Sequence, residues 1–212
     1  MRGLIVGGGP VDLDGLRAEL ATGPELIIAA DAGAKYLLEL GVYPEILVGD
    51  FDSLPPQIVA QITAAGKAVY RYPPQKDQTD LQLALDAAAH AGVTAVNIWG
   101  GLGRRLDHTL GNIGLLQYAG EAGLSARLRD IDHELFLAGG YTVVKARPGW
   151  AISLIPLSPA VTGVTTTGLK YPLNEETLYF NVTRGIHNQF AAAEAVITVA
   201  TGRLLIIYFR EQ

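Results

Sequence analysis

The chain has 212 residues, of which 49% are apolar and 17% charged, with 25 glycines and 11 prolines. This excludes a disordered or fibrous chain and allows one large domain or two small ones with a real core. The formal net charge of −5, with no Lys/Arg cluster to offset it, argues against a sequence-independent hold on nucleic acid. Cysteine is absent, which excludes disulfides, thiolate metal sites and cysteine nucleophiles, and fits a reducing compartment.

The opening "MRGLIVGGGP" lacks the apolar core of a signal peptide, and no stretch approaches the ~20 apolar residues of a membrane span. A cytoplasmic protein without a membrane partner is expected. Short apolar runs then alternate with helical patterns. "GLIVGG" (3–8), "ELIIAAD" (25–31), "EILVGD" (45–50), "AVYRY" (68–72) and "AVNIWG" (95–100) read as buried strands. The segments between them place apolar residues three and four apart, as helices packed on a sheet require. "ARLRD" (126–130) supplies a sixth strand. The alternation predicts an α/β domain over 1–132, with an open, mostly parallel Rossmann-like sheet covered by helices on both faces. After residue 132 the helical period stops. "HELFLAG", "YTVVKA", "WAISLIPL", "GVTTTGL", "TLYFNV", "EAVITVA" and "RLLIIYF" predict an all-β sandwich or barrel-like domain over 133–212. The tail "AVITVATGRLLIIYF" reads as a hairpin around Thr201 and Gly202.

In an open parallel sheet, ligands bind beyond the carboxyl ends of the strands, and the polar residues of the first half fall there. Asp31 ends the second strand. Asp50 and Asp52, in "GDFDS", end the third; residues two apart in a strand point the same way, so both carboxylates emerge on one face while Phe51 turns to the other. "PPQKDQTD" (73–80) follows the fourth strand and carries Lys76, Asp77, Thr79 and Asp80; "GGLGRRLDH" (100–108) follows the fifth and carries Arg104, Arg105 and Asp107. Each carboxylate has a simpler reading. Asp31, Asp77 and Asp107 are each placed to cap the helix that follows, with Asp80 completing a capping-box-like pattern after Asp77. Gathered at one rim, though, they would repel strongly unless a cation sat among them. Hard oxygen ligands suit Mg²⁺. Carboxylates, Mg²⁺ and Lys/Arg together are the equipment of phosphoryl transfer. The glycine-rich "VGGGP" (6–10) is a weak phosphate-loop signal with a tight turn as its alternative, and His90, His108 and His133 receive no chemical role.

"GDFDS", "KDQTD" and "GGLGRRLDHTLGNI", in that order before an all-β half with "ISLIPL" and "TTTGLKYPL", resemble the thiamine pyrophosphokinase family over nearly the whole chain. The resemblance implies transfer of a pyrophosphoryl group from ATP to the hydroxyethyl oxygen of thiamine, releasing AMP. It implies Asp50, Asp52 and Asp80 as holders of Mg²⁺, with Asp31, Asp77 and Asp107 completing the acidic rim. Thr79 and Arg105 are implied as nucleotide phosphate contacts, and Lys76 as a further one. The family is a homodimer, with thiamine between one subunit's α/β rim and its partner's β domain. Thr167, Tyr171 and Asn188 would then lie on the thiamine side, Tyr171 offering a ring face to the thiazolium. Here "GIHN" (185–188) puts His187 where the family usually has Ser, and Tyr171 stands where some members have Trp. The alternatives are a pyrophosphokinase for another hydroxymethyl acceptor, such as a pterin, and a non-catalytic ATP or thiamine-phosphate binder.

Overall fold

The computed structural model describes residues 1–211 and divides into two compact units, Met1–Ile131 and a second that begins at Asp132. The first unit runs β1 (Arg2–Val6), α1 (Leu13–Leu20), β2 (Leu26–Ala30), α2 (Gly33–Glu39), β3 (Ile46–Gly49), α3 (Pro56–Ala64), β4 (Ala68–Arg71), α4 (Asp80–His90), β5 (Ala95–Trp99), α5 (Leu106–Glu121) and β6 (Ser125–Arg129). Its strands are all parallel, in the order β4-β3-β2-β1-β5-β6.

The apolar runs of β1, β2, β3 and β5 become strands because both of their faces are largely buried. By contrast β4, expected to be buried, is an edge strand with no buried residue and Tyr70 exposed. Leu4 and Val6 join Ala29, Leu47 and Trp99 in a cluster closed by Leu16 of α1, Ala34 and Leu37 of α2 and Ile62 of α3. Ile5, Ile28 and Val48 point the other way by strand alternation and are equally buried; α4 packs over these three strands and touches α5. One contact fixes where α2 starts. A Cβ on Gly33 would stand 1.9 Å from the Val6 carbonyl oxygen, so the first turn of the helix rests directly on the end of β1.

The second unit comprises β7 (His133–Leu137), β8 (Tyr141–Lys145), β9 (Trp150–Pro156), β10 (Ala160–Thr167), β11 (Glu176–Tyr179), β12 (Glu194–Thr198) and β13 (Leu204–Arg210). Antiparallel ladders β7-β13-β9 and β11-β10-β12-β8 face each other across a core that includes Phe136, Ile152, Leu154, Val161, Ile197, Ile206 and Tyr208. This is the sandwich that the sequence predicts. Two details differ. The segment 194–209 is not a hairpin: β12 pairs with β10 and β8, whereas β13 pairs with β7 and β9. Thr201 instead bridges to Thr162, and the chain turns a corner from one sheet to the other. The strand expected over 177–182 ends at Tyr179, leaving Phe180 and Val182 exposed in a turn. Among the described residues, no helix is long and apolar enough to cross a membrane.

Two glycines test this account of the packing. Gly33→Ala should destabilise by at least ~2 kcal/mol, because the carbonyl it strikes is backbone. Gly114→Ala, on an exposed turn of α5 with open space around it, should stabilise by ~0.5–1 kcal/mol. Urea unfolding of both variants measures the contrast.

Candidate active site

Strand order reverses between β1 and β5. The loops that leave these two strands diverge there, which opens a crevice at the carboxyl ends. A cleft of about 590 Å³ occupies the position, lined by the β1–α1 loop, Asp31 and its neighbours, Ser53, residues between Pro74 and Leu81, and the β5–α5 loop. Its base is a seam of backbone. The Gly7 amide donates to the Trp99 carbonyl at 2.7 Å and the Gly9 amide to the Gly100 carbonyl at 3.0 Å. A Cβ on Gly9 would lie 2.5 Å from the Gly100 oxygen, and one on Gly100, at φ 70°, would lie 2.3 Å from the Gly7 oxygen. Only glycine lets the two loops meet this closely.

The carboxylates enter from β2, β3 and α4. Asp31 follows β2 in a left-handed conformation (φ 44°), its amide donating to the Val48 carbonyl at 2.8 Å. Its side chain is buried, and Oδ1 has no hydrogen-bond partner. Asp50 and Asp52 meet by a different route from strand alternation, because β3 stops at Gly49. Phe51 adopts φ 67° with its ring buried and the Arg71 guanidinium 4.6 Å above it. That turn folds Asp52 back on Asp50, whose Oδ1 accepts from the Asp52 amide at 3.2 Å. Arg71 also donates to the Asp50 carbonyl at 2.9 Å. Asp31, Asp50 and Asp52 thereby each present an oxygen, all within 4.8 Å of one another. Asp80 opens α4 and is linked to Asp50 through Lys76, whose Nζ lies 2.9 Å from Asp50 Oδ2 and 3.1 Å from Asp80 Oδ1.

Charge and burial pull these groups apart. Burial raises the Asp31 carboxyl above its ordinary value, outweighing hydrogen bonds from the Ala32 amide and Ser53. Burial likewise raises Asp80 despite Lys76. Asp50 is lowered, chiefly by its hydrogen bond from Lys76. Burial works against the Lys76 ammonium, but hydrogen bonds to Asp50 and Asp80 prevail and raise it.

None of the three aspartates placed to cap a helix does so. The caps of α2, α4 and α5 are Ala32, Thr79 and Arg105, and only Thr79 uses its side chain, accepting from the Gln82 amide at 3.3 Å. Asp77 is exposed and does not line the cleft. Asp107 is also exposed and pairs with Arg105 at 2.5 Å, which holds its carboxyl down at about 2. Arg105 and Arg104 line the cleft. So do residues with no role expected from sequence: His108, Ser53, and the buried Asn112, whose Nδ2 donates to the Gly101 carbonyl at 2.7 Å. Asn112 sits within the quoted "TLGNI", but a side chain that braces a glycine loop leaves no spacing signal.

In the second unit, Thr167 ends β10 exposed, and Tyr171 is 60% exposed with the Lys170 ammonium 5.5 Å from its ring centre. Asn188 is buried beneath this loop. Its Oδ1 accepts from the amides of Tyr171 and Gln189, both at 3.0 Å, and its Nδ2 donates to the Tyr171 carbonyl at 2.7 Å. The carboxamide therefore fixes the backbone that carries Tyr171. The His187 amide donates to Ser153 Oγ at 2.9 Å, and the ring pairs with Glu211 at 3.0 Å.

Residues 18–127, which contain Asp31, Asp50, Asp52, Asp77, Asp80 and Asp107, match the family model described as thiamin pyrophosphokinase, catalytic domain. Residues 141–206 match the model described as thiamin pyrophosphokinase, vitamin B1 binding domain. The chain belongs to the thiamine pyrophosphokinase family. A thiamine pyrophosphokinase of Bacillus subtilis is 36% identical over 205 residues, covering 96% of each chain. The crystal structure of a thiamine pyrophosphokinase from Bacillus subtilis superposes with a TM-score of 0.88 at 32% identity, covering 100% of each chain. That from Geobacillus thermodenitrificans gives 0.87 at 30% identity, covering 100% of this chain and 99% of its own. As a member of that family the chain is an enzyme, a thiamine pyrophosphokinase.

Asp31 offers a direct electrostatic test. A carboxyl with a raised folded-state pKa makes the native protein bind more protons than the unfolded chain. Stability therefore falls as pH rises from the ordinary carboxylate value through the raised one, and the deficit persists above it. Asp31→Asn should stabilise the protein by about 1 kcal/mol at pH 7 in the presence of chelator, the scale of one unsatisfied buried acceptor. The gain should shrink toward pH 4. Denaturant titration at the two pH values decides, and an equal gain at both would contradict the assignment.

Proposed function

We propose that this protein transfers the pyrophosphoryl group of ATP to the hydroxyl of thiamine, giving thiamine diphosphate and AMP, and that it works as a cytoplasmic homodimer. The observation that carries this reading is the acidic group beyond the ends of β2 and β3, which reaches the cleft through Asp31 while Asp50 and Asp52 stand outside its lining, all within the matched catalytic segment. Its donor set fits a hard divalent cation: carboxylate oxygens only, one of them buried with no partner. Asp50, Asp52 and Asp80 would hold Mg²⁺, with Asp31 beside them. When bound, Mg²⁺ supplies charge neutralisation to the triphosphate and its leaving group.

The chain's own residues do the rest. The glycine seam lets phosphate approach backbone, and the β5–α5 loop offers Arg104 and Arg105. Arg105 releases Asp107 to reach phosphate, a small cost because exposed ion pairs are weak. Lys76 and Thr79 stand where α4 begins, at a helix N-terminus that favours anions. One of the carboxylates accepts the proton of the attacking hydroxyl.

The match to a vitamin B1 binding domain favours thiamine as the acceptor over a pterin. Tyr171, exposed and braced by Asn188, offers a ring face to the thiazolium, worth ~0.5–2 kcal/mol depending on how dry the site becomes. We assign that face to the partner subunit's cleft, so that each complete site draws on two chains. The exposure of both Thr167 and Tyr171 supports this.

Incubation with ATP, thiamine and Mg²⁺ should release AMP rather than ADP, and chelator should abolish the reaction. Asp52→Asn should lower kcat at least 100-fold, by loss of a charged ligand to the cation that neutralises the transferred phosphates. Arg105→Lys keeps the charge but loses the planar fork, and should remain impaired. Tyr171→Ala should raise the KM for thiamine several-fold without changing that for ATP. Mixing Asp52→Asn subunits with Tyr171→Ala subunits should yield heterodimers with one intact site and the parental thiamine KM; a thiamine KM still raised in verified heterodimers would end the shared-site assignment.

A further inference from the structure

Lys76 stands where a cation would. Its side chain is only 13% exposed, its ammonium touches Asp50 and Asp80 from the β4–α4 loop, and Asp50 is itself part of the group that includes Asp31 and Asp52. The same Asp50 side chain is 13% exposed, so the pair is partly withdrawn from water and its charges attract more strongly than they would in water. The Asp31 Oδ1 atom, buried without a partner, is a separate sign that the group is built for a ligand beyond Lys76. One ammonium cannot satisfy Asp50, Asp80 and Asp31 together.

We propose that Lys76 is a resident counter-ion that makes metal binding depend on the nucleotide. A divalent ion arriving alone must compete with the Lys76 ammonium for Asp50 and Asp80. A metal–triphosphate complex brings phosphate oxygens with it. Lys76, on a flexible four-carbon stem, then exchanges carboxylate for phosphate and frees oxygens of Asp50 and Asp80 for the metal. Metal and nucleotide are thereby coupled, each raising the affinity for the other. The idea rests on the proposed Mg²⁺–nucleotide site and assigns Lys76 a positioning role that changes during binding.

The test is Mn²⁺ binding, followed by electron paramagnetic resonance without nucleotide and with a non-hydrolysable ATP analogue. Without nucleotide, Lys76→Met should bind Mn²⁺ at least tenfold more tightly than the parent. Lys76→Gln, checked by thermal melting for intact folding, should do the same. Lys76→Arg should stay as weak as the parent. The analogue should strengthen Mn²⁺ binding in the parent and much less in Lys76→Met. If Lys76→Met and Lys76→Gln bind Mn²⁺ no more tightly than the parent, while the analogue still recruits it, the counter-ion role is overturned and the metal site stands. If no form binds Mn²⁺ even with the analogue, the metal-site reading falls as well.

Discussion

Like charges confined within a few ångströms of one another repel, and in partly buried surroundings they repel more strongly than in water. Asp31, Asp50 and Asp52 are held in that arrangement by backbone rather than by attraction. The Asp31 amide is tied to β3 through Val48, and Phe51 is driven into a left-handed turn by the burial of its ring. The energy for this comes from elsewhere. Leu4, Val6, Leu16, Leu37, Leu47 and Ile62 bury completely around the parallel strands. Burying side chains of this size contributes on the order of 1.5–3 kcal/mol each. The site is thus a local strain supported by a large apolar core.

The same constraint orders the neighbouring loops. A crevice at the reversal of strand order needs two loops in contact at its base, and the glycines at 7, 9 and 100 provide it. Lys76 and the pairing of Arg105 with Asp107 then balance charge on either side. Each of these pairs joins a group implied in phosphate binding to a carboxylate that competes for it. In the proposed function, phosphate recognition is an exchange of ion-pair partners, which would keep the difference between empty and filled states small.

The architecture was legible because burial on both faces leaves continuous apolar runs, and burial on one leaves alternation. The parallel first unit and the sandwich follow directly from that contrast. Local pattern does not say which sheet a strand joins, and so Val196 and Ile206, each in a good alternating run, looked like neighbours across Thr201 and Gly202. Site positions were visible as polar residues at strand ends, but their mutual distances were not. Asp31 lies 19 residues before Asp50 and Asp80 lies 30 after it, and neither separation in sequence gives the distance in space. The structure places Asp31 against it directly and Asp80 across Lys76, a difference set by where α4 begins. Thr79 outcompetes Asp77 as its cap because the helix starts later than the carboxylate spacing suggests. Asn112 and Asn188 brace backbone, and a bracing amide looks like any other polar residue in sequence.

The place of β13 in its ladder, between β7 and β9, bears on how the chain acquires its shape during synthesis. In the first unit the central strand is β1, so each later strand finds a partner already made, and the parallel sheet can grow as the chain emerges. In the second unit β7 and β9 have no mutual pairing, and the strand that joins them comes some 48 residues after Pro156, at Leu204. Until then both present unpaired backbone and apolar side chains, the condition in which nascent chains are most prone to aggregate. The N-terminal unit can be shaped early and the C-terminal one must wait for its final strand, so the waiting half is where a chaperone would be needed most.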